Sequence, residues 1–78
     1  MSTTELTQGQ RLVGLTFNPS GDPAVAACKQ KFADVLDELY NLELEVATSD
    51  DHMLIIAQAI AATMTAQMWA VKALTWKD

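Results

Sequence analysis

Cysteine and histidine each occur once in these 78 residues, as Cys28 and His52. A single thiol excludes an intrachain disulfide framework and a Cys-rich zinc site, and a single imidazole leaves no histidine cluster for catalysis or metal binding. Basic residues are also scarce, five against ten acidic ones, for a net charge of −5. A general duplex-DNA binder needs an extended cationic surface, so that class is excluded. Met1 to Gln10 contains no apolar run of the signal-peptide kind, and the expectation is a cytoplasmic chain. Enzyme templates are lacking too. There is no Gly-rich phosphate loop, no nucleophile–base pair with a third group, and no paired metal-ligand spacing. The acidic pairs Asp37-Glu38 and Asp50-Asp51 are adjacent in sequence, so their side chains diverge on a helix. Neither an enzyme nor a cofactor is expected.

What the chain does have is apolar residues, 50% of the total, with only two prolines and three glycines to interrupt them. A domain of this length buries only about 60–65% of the surface its unfolded form exposes. The surplus predicts association between copies. Residues 1–16 have little periodicity beyond Leu12, Val13 and Leu15, and read as a flexible lead that becomes ordered near Arg11. Phe17-Asn18-Pro19-Ser20-Gly21-Asp22-Pro23 is dense in turn formers, and Asp22 before Pro23 reads as an N-cap with proline at the first helical position.

From Ala24 onward Val25, Cys28, Phe32, Val35, Leu39, Leu42 and Val46 recur at alternating steps of three and four. That seam predicts an amphipathic first helix over about 23–46, with Asp34, Asp37, Glu38, Glu43 and Glu45 on its solvated face. Thr48-Ser49-Asp50-Asp51 supplies N-cap candidates for a second helix over about 51–76, in which His52 reads as part of the cap. Met53 to Val71 carries no charge. Its length would admit a membrane span, but Gln58, Thr63, Thr65 and Gln67 interrupt it and no cation flanks its Asp50-Asp51 end, so a helix buried on several sides is favoured. Met53, Ala57, Ile60, Met64 and Val71 form a bulky stripe; Ala59, Ala62, Ala66 and Ala73 form a small one suited to a second partner helix.

Folded into an antiparallel hairpin, the two helices bring Lys29, Lys31, Lys72 and Lys77 to comparable heights at the open end, with Arg11 entering beside them. Phe17 offers a face on which a base could stack, Asn18 and Ser20 add donors, and the helix start adds free N–H groups. The same residues also fit a hydrophobic staple, turn caps and solvated lysines, and both readings stay open. Gln58, Thr65 and Lys72 share one stripe of the second helix, and Thr63 and Gln67 another; they suit either a lumen-lining role or plain interhelical hydrogen bonding. Cys28 reads as a small core residue, and Trp69 and Trp76 as packing anchors.

Two motifs carry a resemblance. Phe17-Asn18-Pro19-Ser20-Gly21, followed by Val25 and Lys29, resembles the opening of a phage hairpin domain, and Met68-Trp69-Ala70-Val71-Lys72-Ala73-Leu74-Thr75 resembles its closing segment. That domain is shared by the anti-CBASS cyclic-nucleotide sponges and a related sponge that blocks Thoeris signalling, and the resemblance spans Arg11 to Thr75. It implies a homo-oligomer, typically a hexamer, that binds cyclic di- or trinucleotide immune messengers without cutting them, in the host cytoplasm and away from membranes. It implies a dinucleotide site between paired protomers at Phe17 and Lys29, with Asn18, Ser20 and Lys31 as neighbours. Lys72 and Arg11 complete the candidate ligand set through their position at the open end. A trinucleotide pocket in some members uses second-helix Arg and Thr; here there is no arginine in that helix, and only Gln58 or Thr63 stands near those positions. The fold expected is therefore all-α, a single domain over 1–78, an antiparallel two-helix hairpin with a short N-terminal segment, assembling into a homo-oligomeric helical bundle. The rival function is a structural oligomerisation module that binds a protein partner, with a membrane-associated helix as a weaker third.

Overall fold

The computed structural model describes residues 5–19 and 21–78, and among them every regular element is helical. Helix α1 spans Gln8–Leu12, α2 spans Pro23–Glu45 and α3 spans Asp50–Leu74. The two long helices pack against each other, and α1 packs on α2.

Local chemistry sets each boundary. Asp22 caps α2, its carboxylate accepting from the Ala24 N–H at 2.9 Å, and Pro23 follows in the first turn, where its missing N–H costs nothing. Ser49 caps α3 by accepting from the His52 N–H, while the His52 ring accepts from the Thr48 N–H at 3.2 Å. These reciprocal bonds close the bend between α2 and α3. Helix α3 ends at Leu74, with Thr75 at its C-cap, slightly short of the expected Trp76.

The lead differs from expectation. Instead of a flexible stretch up to residue 16, residues 8–12 form a helical turn and a half, started by a capping box between Thr7 and Gln10. Five residues cannot hold a helix alone in water. Tertiary contact does so here. Gly9 is buried against α2, its N–H donating to the Asp37 carboxylate at 2.8 Å, and Gln10 donates to Gln30 at 3.0 Å. Val13 then enters the core with Ala33, Leu36, Ile56 and Ile60. Asp37, expected on a solvated face, is thereby an anchor for α1.

Docking of α1 also explains a shift in the seam of α2. The buried residues are Val25, Lys29, Ala33 and Leu36, not the Cys28, Phe32, Val35 line that the spacing suggested. With α1 covering one flank and α3 the other, the most buried line lies between them, about one residue step (100°) around the helix. Val35, Leu42 and Val46, expected in the seam, are exposed. On α3 the inward line is Ile56, Ile60 and Gln67, with Met64 half-buried beside it, while Met53 and Ala57 of the expected bulky stripe are exposed. The chain forms a plate of 44 × 40 × 12 Å. Among the helices, α3 is long and apolar enough to cross a membrane by length and composition.

Candidate functional site

The turn-rich segment folds over the start of α2 and the end of α3. Gly14 makes this possible by adopting φ +64°, a left-handed conformation that glycine occupies without a Cβ penalty. The chain then reverses, with the Phe17 N–H donating to the Gly14 carbonyl at 2.9 Å. Lys29 pins this reversal. Its side chain is buried, and its ammonium donates to the carbonyls of Gly14, at 3.0 Å, and Phe17. A buried ammonium is tolerated only when its protons find acceptors, and these two carbonyls supply them.

The result is a groove of about 240 Å³ lined by Phe17, Asn18, Pro19, Lys29, Val71 and Thr75, with Val25 at its floor. Phe17 is 71% exposed, so its ring is not a staple in the core. The Lys29 ammonium lies 5.6 Å from the ring centroid, within reach of a cation–π interaction. Thus one exposed aromatic face and one buried cation share a small apolar cleft, a combination that can hold a planar group and an anionic group side by side.

Lys29 itself spends two of its three ammonium protons on the Gly14 and Phe17 carbonyls, and the other candidate residues fall elsewhere or are likewise engaged. Asn18 is half-buried and its amide donates to the Asp22 carbonyl at 2.9 Å, so it serves the turn. Ser20 lies outside the described residues. The start of α2, expected to offer free N–H groups, already has the Asp22 carboxylate bound at Ala24. Lys31 lines a separate and wider groove of about 620 Å³ beside Cys28, Phe32, Ala70 and Ala73. Lys72 stands over two indoles, 5.2 Å from the Trp69 centroid and 5.9 Å from that of Trp76. Arg11 donates to the Leu6 carbonyl at 2.8 Å on the α1 side. Lys29, Lys31 and Lys72 therefore lie near the open end of the hairpin on different faces, whereas Arg11, expected beside them, rides on α1 against the middle of α2, where Gly9 meets Ala33 and Asp37. Among the candidate cations, Lys29 is the one that joins Phe17.

For the second pocket, Gln58 is exposed, whereas Thr63 is half-buried and donates its hydroxyl to the Ala59 carbonyl at 2.7 Å. The two do not share a face of α3, since five residues on a helix turn through about 140°. The lining residues that sequence reasoning left out of the site are Pro19 and Val25 from the opening motif, and Val71 and Thr75. The latter two belong to the closing segment Met68–Thr75, and the signal was their place one turn apart at the end of α3, where the hairpin brings them back to Phe17. Cys28 is half-buried and reduced. Compared with known protein families, curated proteins and solved structures, the chain matches none of them.

Proposed function

We propose that this chain is a non-enzymatic sponge that binds cyclic oligonucleotide second messengers intact and withholds them from the signalling effector, in the manner of the phage anti-CBASS proteins that its two motifs resemble. The observation that carries this reading is the exposed Phe17 ring beside the Lys29 ammonium in the cleft closed by Val71 and Thr75. A base stacked on an aromatic face gains about 1–3 kcal/mol, and a phosphate beside a poorly solvated ammonium adds a charge-assisted contact.

At about 240 Å³ the cleft is smaller than the ~300–1,000 Å³ typical of a complete small-molecule site. It suits one base with its phosphate. The remainder of a cyclic dinucleotide then has to be enclosed by another copy, which joins ligand capture to self-association. The mechanism is mass action: a tight site in excess over messenger lowers the free concentration without chemistry, in the cytoplasm of an infected host. A structural oligomerisation module is the second reading, favoured by the exposed apolar side chains along α3.

The test is calorimetric titration of the chain with a panel of cyclic di- and trinucleotides, followed by chromatography of the released ligand. At least one messenger is expected to bind and to return intact. Phe17→Ala, which removes a 71% exposed ring but keeps the backbone carbonyl that accepts from Lys29, is expected to weaken binding by about tenfold or more through lost stacking. Absence of heat with every messenger would leave the structural module as the function, and a hydrolysed product would make the chain an enzyme.

A further inference from the structure

The face of α3 opposite its core contact carries a second regular stripe. Ile55, Gln58, Ala62, Thr65, Trp69 and Lys72 recur at steps of three and four, and every one is exposed. Trp76 continues the line past the helix end. The inward residues Ile56, Ile60 and Gln67 lie about 180° away. Neither α1 nor α2 covers this stripe, and Ile55, Trp69 and Trp76 are 68%, 64% and 62% exposed. A sustained alternation of three and four is the spacing by which helices pair along a shallow supercoil.

Charge decides what can lie on it. Between Met53 and Val71 the helix has none, while its start carries Asp50 and Asp51, its last turn carries Lys72, and Lys77 followed by Asp78 lies just past its end. The exposed apolar residues of α2 offer no equivalent surface, because Val35, Leu42, Leu44 and Val46 alternate with Asp34, Glu38, Glu43 and Glu45. Two copies of α2 would bring like charges together. Two parallel copies of α3 would set Asp50 and Asp51 against themselves. Two antiparallel copies put the acidic start of each beside the basic end of the other, over a span of about 33 Å. That arrangement is self-complementary, as a two-fold interface requires.

We propose that the outer stripe of α3 pairs antiparallel with the same stripe of a second copy, in the register that sets Ala62 against Thr65. This deepens the proposed function, because it builds on the self-association invoked there, but it needs no ligand. The register follows from size. Ala62 and Thr65 from each copy meet at the centre, where small side chains allow close approach. One layer outward, Gln58 faces Trp69, whose indole N–H can donate to the amide oxygen. In the next, Ile55 lies on the aliphatic stem of Lys72, whose ammonium leans toward Asp51. Lys72 and Gln58, both candidates for ligand contact by sequence, become interface residues. The Lys72 ammonium, already held over Trp69 and Trp76, keeps those rings ordered for contact.

The experiment is done on the full chain without nucleotide. In a Cys28→Ser background, Ala62→Cys and Thr65→Cys are made singly and together, and mild oxidation is followed by non-reducing electrophoresis. Light scattering gives the mass. The double variant is expected to form a covalent dimer at least tenfold faster than either single variant, and the parent chain to have a mass that is an even multiple of 8.5 kDa. Trp69→Glu is expected to lower that mass while helical content, read by circular dichroism, is retained. Single variants that cross-link as fast as the double one would show a parallel or different contact and overturn the proposal. So would a monomeric parent chain, a Trp69→Glu variant of unchanged mass, or a monomer that instead sediments with phosphatidylcholine vesicles, which would make the stripe a lipid-facing surface. Failure of the nucleotide titration leaves these outcomes untouched.

Discussion

Replacing Gly9 by alanine tests whether α1 is part of the fold or a lead that happens to lie on it. A Cβ at Gly9 would stand 2.2 Å from the Ala33 carbonyl oxygen, 2.8 Å from Asp37 Oδ1 and 3.0 Å from the Ala33 carbonyl carbon. Two of these are backbone atoms of a long helix and cannot swing aside. Helix α1 must instead back away by about 1 Å, the distance needed to restore ordinary van der Waals contact. That movement breaks the 2.8 Å bond from the Gly9 N–H to Asp37, worth about 1.5–3 kcal/mol for a charged acceptor. It also loosens Val13, whose burial contributes up to about 1.5–3 kcal/mol. Against these losses, alanine in a helix gains about 0.5–1 kcal/mol over glycine.

The net expectation is a destabilisation of about 2–4 kcal/mol, a large part of the roughly 4–12 kcal/mol available to a domain of this length. At about 4–8 °C per kcal/mol, Tm falls by about 8–32 °C. Urea and thermal unfolding, followed by far-UV circular dichroism at matched protein concentration, measure it. Amide exchange at residues 8–13 should rise in parallel. The sign is the decisive result. If Gly9→Ala is as stable as the parent chain or more so, helix propensity has won, α1 is not docked, and the account of the shifted seam in α2 fails with it.

Two further outcomes follow from the hydrogen bonds. Lys29→Met keeps the aliphatic volume but leaves the Gly14 and Phe17 carbonyls without their donor, and is expected to cost about 2–4 kcal/mol in urea unfolding; a change below about 0.5 kcal/mol would mean that water replaces the ammonium at no loss. Ser49→Ala removes the acceptor for the His52 N–H at the start of α3 and is expected to cost about 1 kcal/mol, whereas Ser49→Asp should restore most of it; equal stability of all three would show that the bend does not depend on this cap.

The parts of this fold that sequence made legible are those governed by local rules. Asp22-Pro23 specifies a cap and a first turn by its own geometry, and Asn18 to Asp22 cannot be helix. The long helices have enough periodicity to be placed within a residue or two. What remained hidden depends on which element lies next to which. Gly9 is a helix breaker by propensity, and only the approach of Ala33 reveals why glycine suits it. Val25, Cys28 and Phe32 form as good a stripe on paper as Val25, Lys29 and Ala33, since a lysine counts as polar until its ammonium finds two carbonyls. The candidate site divides in the same way. Phe17 and Lys29 were legible from the opening motif and do come together. Thr75 was legible only as a member of the closing motif one turn beyond Val71, and nothing in a threonine at a helix end announces the loop that folds over it. Lys31 and Lys72 share height along the hairpin but differ in direction around it, and one-dimensional spacing along a chain registers only the first; Arg11 misses the open end because α1 docks on the middle of α2.

Trp69 sits on the outer face of α3 and Trp76 just past its end, both well exposed, and the lone tyrosine, Tyr40, lies on α2. This makes the chain's own fluorescence a selective instrument. Indole emission is nearly blind to the docking of α1 and to much of the unfolding of a single copy, since the rings already face water. It is sensitive to whatever covers them. A blue shift on concentration would mark the burial of Trp69 and Trp76 by another molecule, while circular dichroism tracks the helices themselves. The same placement separates folding from assembly in one cuvette, without a label.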